Sequence, residues 1–248
     1  MKRKMSKIAP GADLRGMDLG RSNLKGRDLS QATLFRTNFA EANLKGANLA
    51  GARLAGADLD RADLTGADLT AANLDRTDLH KAVLIEANLD AANLHMAELN
   101  GADLSRATLV GADLDRAYLK GVTFLGADLT SADCDRAYIA GANFNGACLV
   151  GANFAGSDLS SASFLGADLS EADFELADLD GADLSGANLT GCDFTRASLR
   201  GANLTGAVLL GAVFTNADLE GVISDSPVAQ EAAGSVGAKG CPDPTAGR

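Results

Sequence analysis

The sequence predicts an all-β solenoid, and three observations carry that prediction. From Leu14 to Leu219 every fifth residue is Leu or Phe, with only Cys134 and Ile139 departing, which makes 42 contiguous five-residue repeats without an insertion. The residue two before each centre is nearly always Ala, and the one just before it is usually Asp or Asn. Rare residues then recur at intervals of 20: Phe124, Phe144 and Phe164; Phe154, Phe174, Phe194 and Phe214; Tyr118 and Tyr138. Arg36, Arg76, Arg116, Arg136 and Arg196 also differ by multiples of 20.

A period of five suits neither straight element. On an α-helix, successive centres would fall about 140° apart and never gather into a stripe. On a straight strand, an odd spacing alternates faces. A chain that bends the same way after each repeat does bury the pattern, with every centre and its Ala pointing inward. The 20-residue recurrences make that four repeats per turn, with like residues stacked at the interstrand distance of about 4.8 Å.

The repeats ADLTG at 62–66, ANLKG at 42–46 and ANLTG at 187–191 show the phrase in full. In this the chain resembles the pentapeptide repeat proteins, whose motif is Ala, then Asp or Asn, then Leu and two variable residues. The resemblance covers residues 12–221. It implies a right-handed quadrilateral β-helix with one repeat per side. Forty-two repeats would make about 10 turns, a rod roughly 50 Å long.

Composition agrees with a narrow core: no Trp, 4% aromatic residues and abundant Ala and Gly. No apolar run approaches the ~18 residues of a membrane span. The charges of Lys2, Arg3, Lys4 and Lys7 are not followed by the apolar stretch of a signal peptide, so a cytoplasmic protein without membrane contact is expected. Three parts follow: residues 1–11 as lead-in and cap, 12–221 as the solenoid, and 222–248 as a short apolar end and then a disordered tail.

In the first turn Met17, Ser22 and Arg27 take inward slots that Ala fills almost everywhere else, as an adapted end would require, with the Arg27 guanidinium reaching water. From Ala32 to Gly121 the centres are almost all Leu, and beyond Gly121 Phe takes over on selected sides as core filling. Near the end, Val208, Leu210 and Val213 occupy outward slots normally held by polar residues. This apolar end would be covered by the chain's own tail or by a second copy in an end-to-end homodimer.

Catalysis finds no support. There is no Gly-rich phosphate loop, no nucleophile beside a His and no metal-ligand cluster, so no catalytic residue, cofactor or metal is expected. His80 and His95 read as exposed surface residues on adjacent sides. Cys134 and Cys192 point inward about three turns apart, too far for a disulfide; Cys148 points outward and Cys241 lies in the tail.

Charge is what remains to interpret. The chain carries −11, and the repeats distribute acid unevenly over four sides. The side opening with residues 17–21 holds 11 acidic and 5 basic residues, among them Asp58, Asp60, Asp78, Glu98, Asp158, Asp178 and Asp180. The opposite side, opening with 27–31, holds 6 and 1, including Asp68, Asp90, Asp128 and Asp168. The side opening with 12–16 holds 9 and 7 and largely neutralises itself, since Asp115 and Asp135 each precede an Arg. Tyr118 and Tyr138 stack outward on the more acidic side, either as a stabilising pair between turns or as partner contacts.

Direct nucleic-acid binding is disfavoured, because phosphates would be repelled. A protein partner fits better, and a non-enzymatic scaffold or regulator is the main expectation. The alternative comes from the resemblance: some pentapeptide repeat proteins mimic DNA and bind type II topoisomerases such as DNA gyrase, conferring resistance to drugs or toxins. This chain has neither the inserted loops that several of those members use nor an evident C-terminal dimerisation helix.

Overall fold

The computed structural model describes residues 8–227. The basic residues Lys2 to Lys7 and the segment 228–248, with Cys241 and the expected disorder, lie outside the described residues. The fold is a β-helix solenoid built without extended strands. Each repeat contributes one bridging residue, and the parallel bridges join positions 20 apart, from Asp13 with Thr33 to Asn203 with Ile223. They fall into four ladders, whose first centres are Leu14, Leu19, Leu24 and Leu29. Each 20-residue circuit is called a coil below.

One repeat shows why the motif has its form. In residues 62–66, Asp63 N–H donates to the Ala42 carbonyl of the coil before, at 2.9 Å. Leu64 N–H donates to Val83 of the coil after (2.7 Å), and so does Gly66 to Ile85 (2.9 Å). Ala67 N–H closes a turn onto the Leu64 carbonyl at 2.9 Å. One amide, Thr65, is left over, and the Asp63 carboxylate accepts it at 3.2 Å. Asp or Asn before the centre is therefore the group that satisfies the last backbone donor of the repeat. The turn needs a positive φ at its third residue, 62° at Gly66, the geometry of a type II turn. Arg61 (53°) and Leu176 (61°) adopt it without being glycine.

The interior is closed. The central residues from Leu14 to Leu204 are at most 2% exposed, and from residue 32 onward so are the preceding small residues, as far as Ala202. Polar residues in those inward slots are satisfied locally: Thr37 Oγ1 donates to the Leu14 carbonyl (2.9 Å) and Thr77 Oγ1 to that of Leu54 (3.0 Å). Phe124, Phe144 and Phe164 stack at 4.9 and 4.8 Å along the third ladder. Phe154, Phe174, Phe194 and Phe214 stack at 5.0–5.3 Å along the first. The two columns meet edge to face, Phe154 against Phe164 at 6.4 Å. A ring stack fits because its preferred spacing is close to the coil repeat itself.

The ends differ from the middle. Ala12, Met17 and Ser22 are half-buried and Arg27 is exposed, while Ile8 is buried against the first coil. At the other end Val208, Leu210, Val213 and Ile223 face outward, Leu210 at 74% exposure.

Candidate protein-binding surface

With the core closed, whatever this chain does, it does with outward side chains. Most of the acidic residues singled out from the sequence serve the backbone with one oxygen. Asp58, Asp78, Asp158 and Asp178 accept from the amides of Asp60, His80, Ser160 and Asp180. In the fourth ladder Asp68, Asp128 and Asp168 accept from both the amide and the hydroxyl of Thr70, Thr130 and Ser170. Asp178 is exposed and the other six are half-buried, so their carboxylates are not sealed from solvent.

Asp90 and Asp180 have a structural task that the sequence reading missed. Thr108 and Ser198 stand before their centres and do not cap their own repeats. The orphaned amides of Val110 and Arg200 are taken instead by Asp90 and Asp180, 20 residues earlier, at 2.9 and 3.0 Å. Asn100 does the same for Lys120 beyond Tyr118, and Asn145 for Leu165 beyond Ser163. The signal was present in the sequence as a non-Asx residue before the centre, with an Asx one coil before the amide left uncapped.

The sides differ in how their charge is compensated. In the first ladder, Arg76 pairs with Asp75 at 3.0 Å, Arg136 with Asp135, and Arg116 lies 3.8 Å from Asp115. In the second, Arg21 meets Glu41 (2.9 Å), Arg61 meets Asp60 (3.5 Å), and Arg200 reaches Asp218 (3.0 Å) and Glu220. No ion pair among the described residues involves Asp68, Asp90, Asp128 or Asp168 of the fourth ladder. The reading of both histidines as exposed surface residues needs correction: His80 is half-buried, and His95 is enclosed further. His95 lies in the first ladder, with Nδ1 2.8 Å from Asp75 and Nε2 3.6 Å from Asp115, because the residues 20 before and 20 after it are both carboxylates.

Tyr118 and Tyr138 do stack, with ring centres 5.0 Å apart and planes at 8°. They sit between Glu98 and Asp158 in the second bridge ladder and keep 39% and 51% exposure. Cys134, Cys148 and Cys192 are free thiols; Cys148 is half-buried and Cys134 and Cys192 are buried. No group of three or more His, Cys, Asp or Glu among the described residues is arranged to hold a metal ion. No helix among them is long and apolar enough to cross a membrane.

The family pattern described as Pentapeptide repeats (8 copies) matches residues 28–66, 62–106, 97–133, 137–175, 157–196 and 192–223. The chain belongs to the pentapeptide repeat family. Among solved structures it is similar to HetL, a pentapeptide repeat protein involved in heterocyst differentiation regulation in the cyanobacterium Nostoc sp. strain PCC 7120. The two are 34% identical over 90% of this chain and 93% of HetL, with a TM-score of 0.45. A pentapeptide repeat protein of the Arabidopsis thaliana thylakoid lumen is 33% identical over 45% of this chain and 82% of its own, with a TM-score of 0.26. QnrB1, a plasmid-mediated fluoroquinolone resistance protein, is 22% identical over 92% of this chain and 96% of its own, with a TM-score of 0.36. No curated protein matches the chain.

Proposed function

We propose that this pentapeptide repeat protein is a non-enzymatic, cytoplasmic protein-binding scaffold or regulator. Its form is taken to be a right-handed, square-sectioned rod of about ten turns with four repeats per turn. The observation that carries this reading is the fourth ladder. Its Asp68, Asp128 and Asp168 hold the fold with one oxygen, and no ion pair among the described residues reaches them along a rod whose interior is filled. A closed core leaves no cleft from which water could be excluded for catalysis. Uncompensated carboxylates on one side suit a basic surface on a protein partner and steer its approach.

The test exploits the cap. Asp68→Asn, Asp128→Asn and Asp168→Asn together remove three charges and keep the oxygen that accepts the backbone amide. The triple variant is expected to melt like the wild type and to lose, in affinity capture from the source cells, a partner that the wild type retains. Equal capture by both would refute the reading. The same unpaired carboxylates favour mimicry of a DNA duplex as a second reading, with a type II topoisomerase as partner. Inhibition or drug protection of DNA gyrase supercoiling that DNA competes away, and that weakens with salt, would decide for it. The outward Val208, Leu210 and Val213 are proposed to join two copies end to end, an association that Leu210→Asp should abolish.

A further inference from the structure

We infer that the second-ladder side is self-complementary and pairs laterally, antiparallel, with a second copy of the chain. This goes beyond the partner-binding reading and does not depend on it, since it leaves the fourth ladder facing outward. Two rods lying side by side about a two-fold axis perpendicular to their length place each column of side chains against the same column reversed. Because every column repeats at one residue per coil, all registers can be compared by identity alone.

In the column that runs Glu98, Tyr118, Tyr138, Asp158, Asp178, Ser198, bridges join each residue to the next. A two-fold axis between the coils of Tyr138 and Asp158 sets Tyr138 against Asp158 of the second copy and Tyr118 against Asp178. Both phenols then face carboxylates. In the parallel column two residues later, Lys120 meets Asp180 and Asn100 meets Arg200. At the rod's edge, Arg116 meets Leu176, the apolar residue exposed to 58%. The single like-charged encounter, Asp78 with Asp218, falls at the far end, beside His80 meeting Glu220.

The neighbouring registers are worse. Moving the axis onto the coil of Tyr138 sets Glu98 against Asp178 and leaves Lys120 against Ser160. Moving it onto the coil of Asp158 sets that residue against itself, Glu98 against Asp218 and Lys120 against Arg200. The fourth-ladder side, with six acidic residues and one basic, sets almost no opposite charges against its own copy.

The groups needed for this pairing are available. Lys120 is exposed, and no ion pair among the described residues reaches its ammonium. Asp180 uses Oδ1 on Ser198 and on the amide of Arg200. Tyr118 and Tyr138 are held side by side by their own stacking, so little freedom is lost when they are covered. A contact a few coils long is small for a permanent dimer, so the association is weak, concentration-dependent and salt-sensitive.

Sedimentation equilibrium of the whole chain at low salt and at about 0.5 M salt tests the inference. The wild type is expected to dimerise at low salt, and Lys120→Glu to weaken the dimer about tenfold or more, since the new carboxylate would then face Asp180. Asp180→Asn, which keeps the acceptor for Arg200, is expected to weaken it less. Lys120→Glu mixed with Asp180→Lys is expected to form a heterodimer more readily than either variant pairs with itself, because opposite charges meet where the two substituted positions face each other. A wild type that stays monomeric, a Lys120→Glu variant that associates as tightly as the wild type, or a dimer lost only on Leu210→Asp would each overturn the lateral pairing.

Discussion

The Leu-centred coils up to Leu119 and the Phe-bearing coils from Phe124 onward share one backbone and differ in what they place inside and outside it. Leu64 N–H reaches Val83 at 2.7 Å, and Phe144 N–H reaches Ser163 at the same 2.7 Å. A change from Leu to Phe in the core therefore does not perturb the ladder. It is absorbed because whole columns change together, and the rings stack at the spacing the coils already have. Outside, the contrast is larger. Among the described residues, every exposed large apolar side chain lies at residue 110 or beyond, from Val110 to Ile223. Most cations lie in the earlier coils, where Arg21, Arg61 and Arg76 answer local carboxylates. The repeat sets the backbone everywhere; cations concentrate in the earlier coils and exposed apolar side chains in the later ones.

The comparison breaks most sharply in the core. Phe144→Ala should cost about 3–5 kcal/mol, because it removes a ring stacked on both sides and leaves a cavity in a closed interior. Urea unfolding of this variant followed by hydrogen exchange should show the Phe-bearing coils opening before the Leu-centred ones. The converse substitutions sharpen the point. Leu64→Phe should cost about 1–3 kcal/mol by overpacking a column of leucines. Leu104→Phe should cost about 0.5–1.5 kcal/mol less, since its ring would stack on Phe124 one coil away.

A smaller effect lies at the corners. Leu176 holds a φ of 61° with its side chain exposed, so Leu176→Gly should raise stability by about 1 kcal/mol. Gly146→Ala, at 63° and with open space around the added methyl group, should lower it by about as much. If neither change moved the melting temperature, the left-handed corner would not be strained for side chains.

Thiol chemistry reads the same division between inside and outside. Burial, followed by nearby carboxylates, pushes the Cys134 thiol well up; burial pushes that of Cys192 up to about 12. Both should resist alkylation in the folded protein, while the half-buried Cys148 reacts.

The smallest effect expected is with acid. Asp13, held down by its hydrogen bond from Arg15, Asp28, held down by Ser30, and Glu41, held down by Arg21, all lie in the first coils. Each has a folded pKa below its unfolded value. Its contribution is therefore present above the ordinary carboxylate range and lost as the pH falls through the lowered folded pKa. Acid should loosen the N-terminal coils first, which hydrogen exchange at low pH would detect.

Much of this was legible because each repeat carries its own instructions. Leu64 in an inward slot, Ala62 beside it and Asp63 before it are enough to place that repeat, and the same logic runs through most of the 42. The Phe columns were readable for the same reason: a 20-residue recurrence is a contact between coils. What could not be read locally was the fate of side chains whose partners lie one coil away. Asp90 reads as a surface charge until Thr108 is seen to leave the Val110 amide without a cap. His95 reads as an exposed imidazole until Asp75 and Asp115 close on it from the coils before and after.

The sequence by itself determined the solenoid and its filled core, because a five-residue period of burial has a single way to point inward on a chain that bends regularly. Only the tertiary structure decided which carboxylates are consumed by the fold, which are paired and which stand free of ion pairs. Those outcomes depend on distances of a few ångströms between coils, and a repeat identical in sequence to its neighbours can meet different residues above and below.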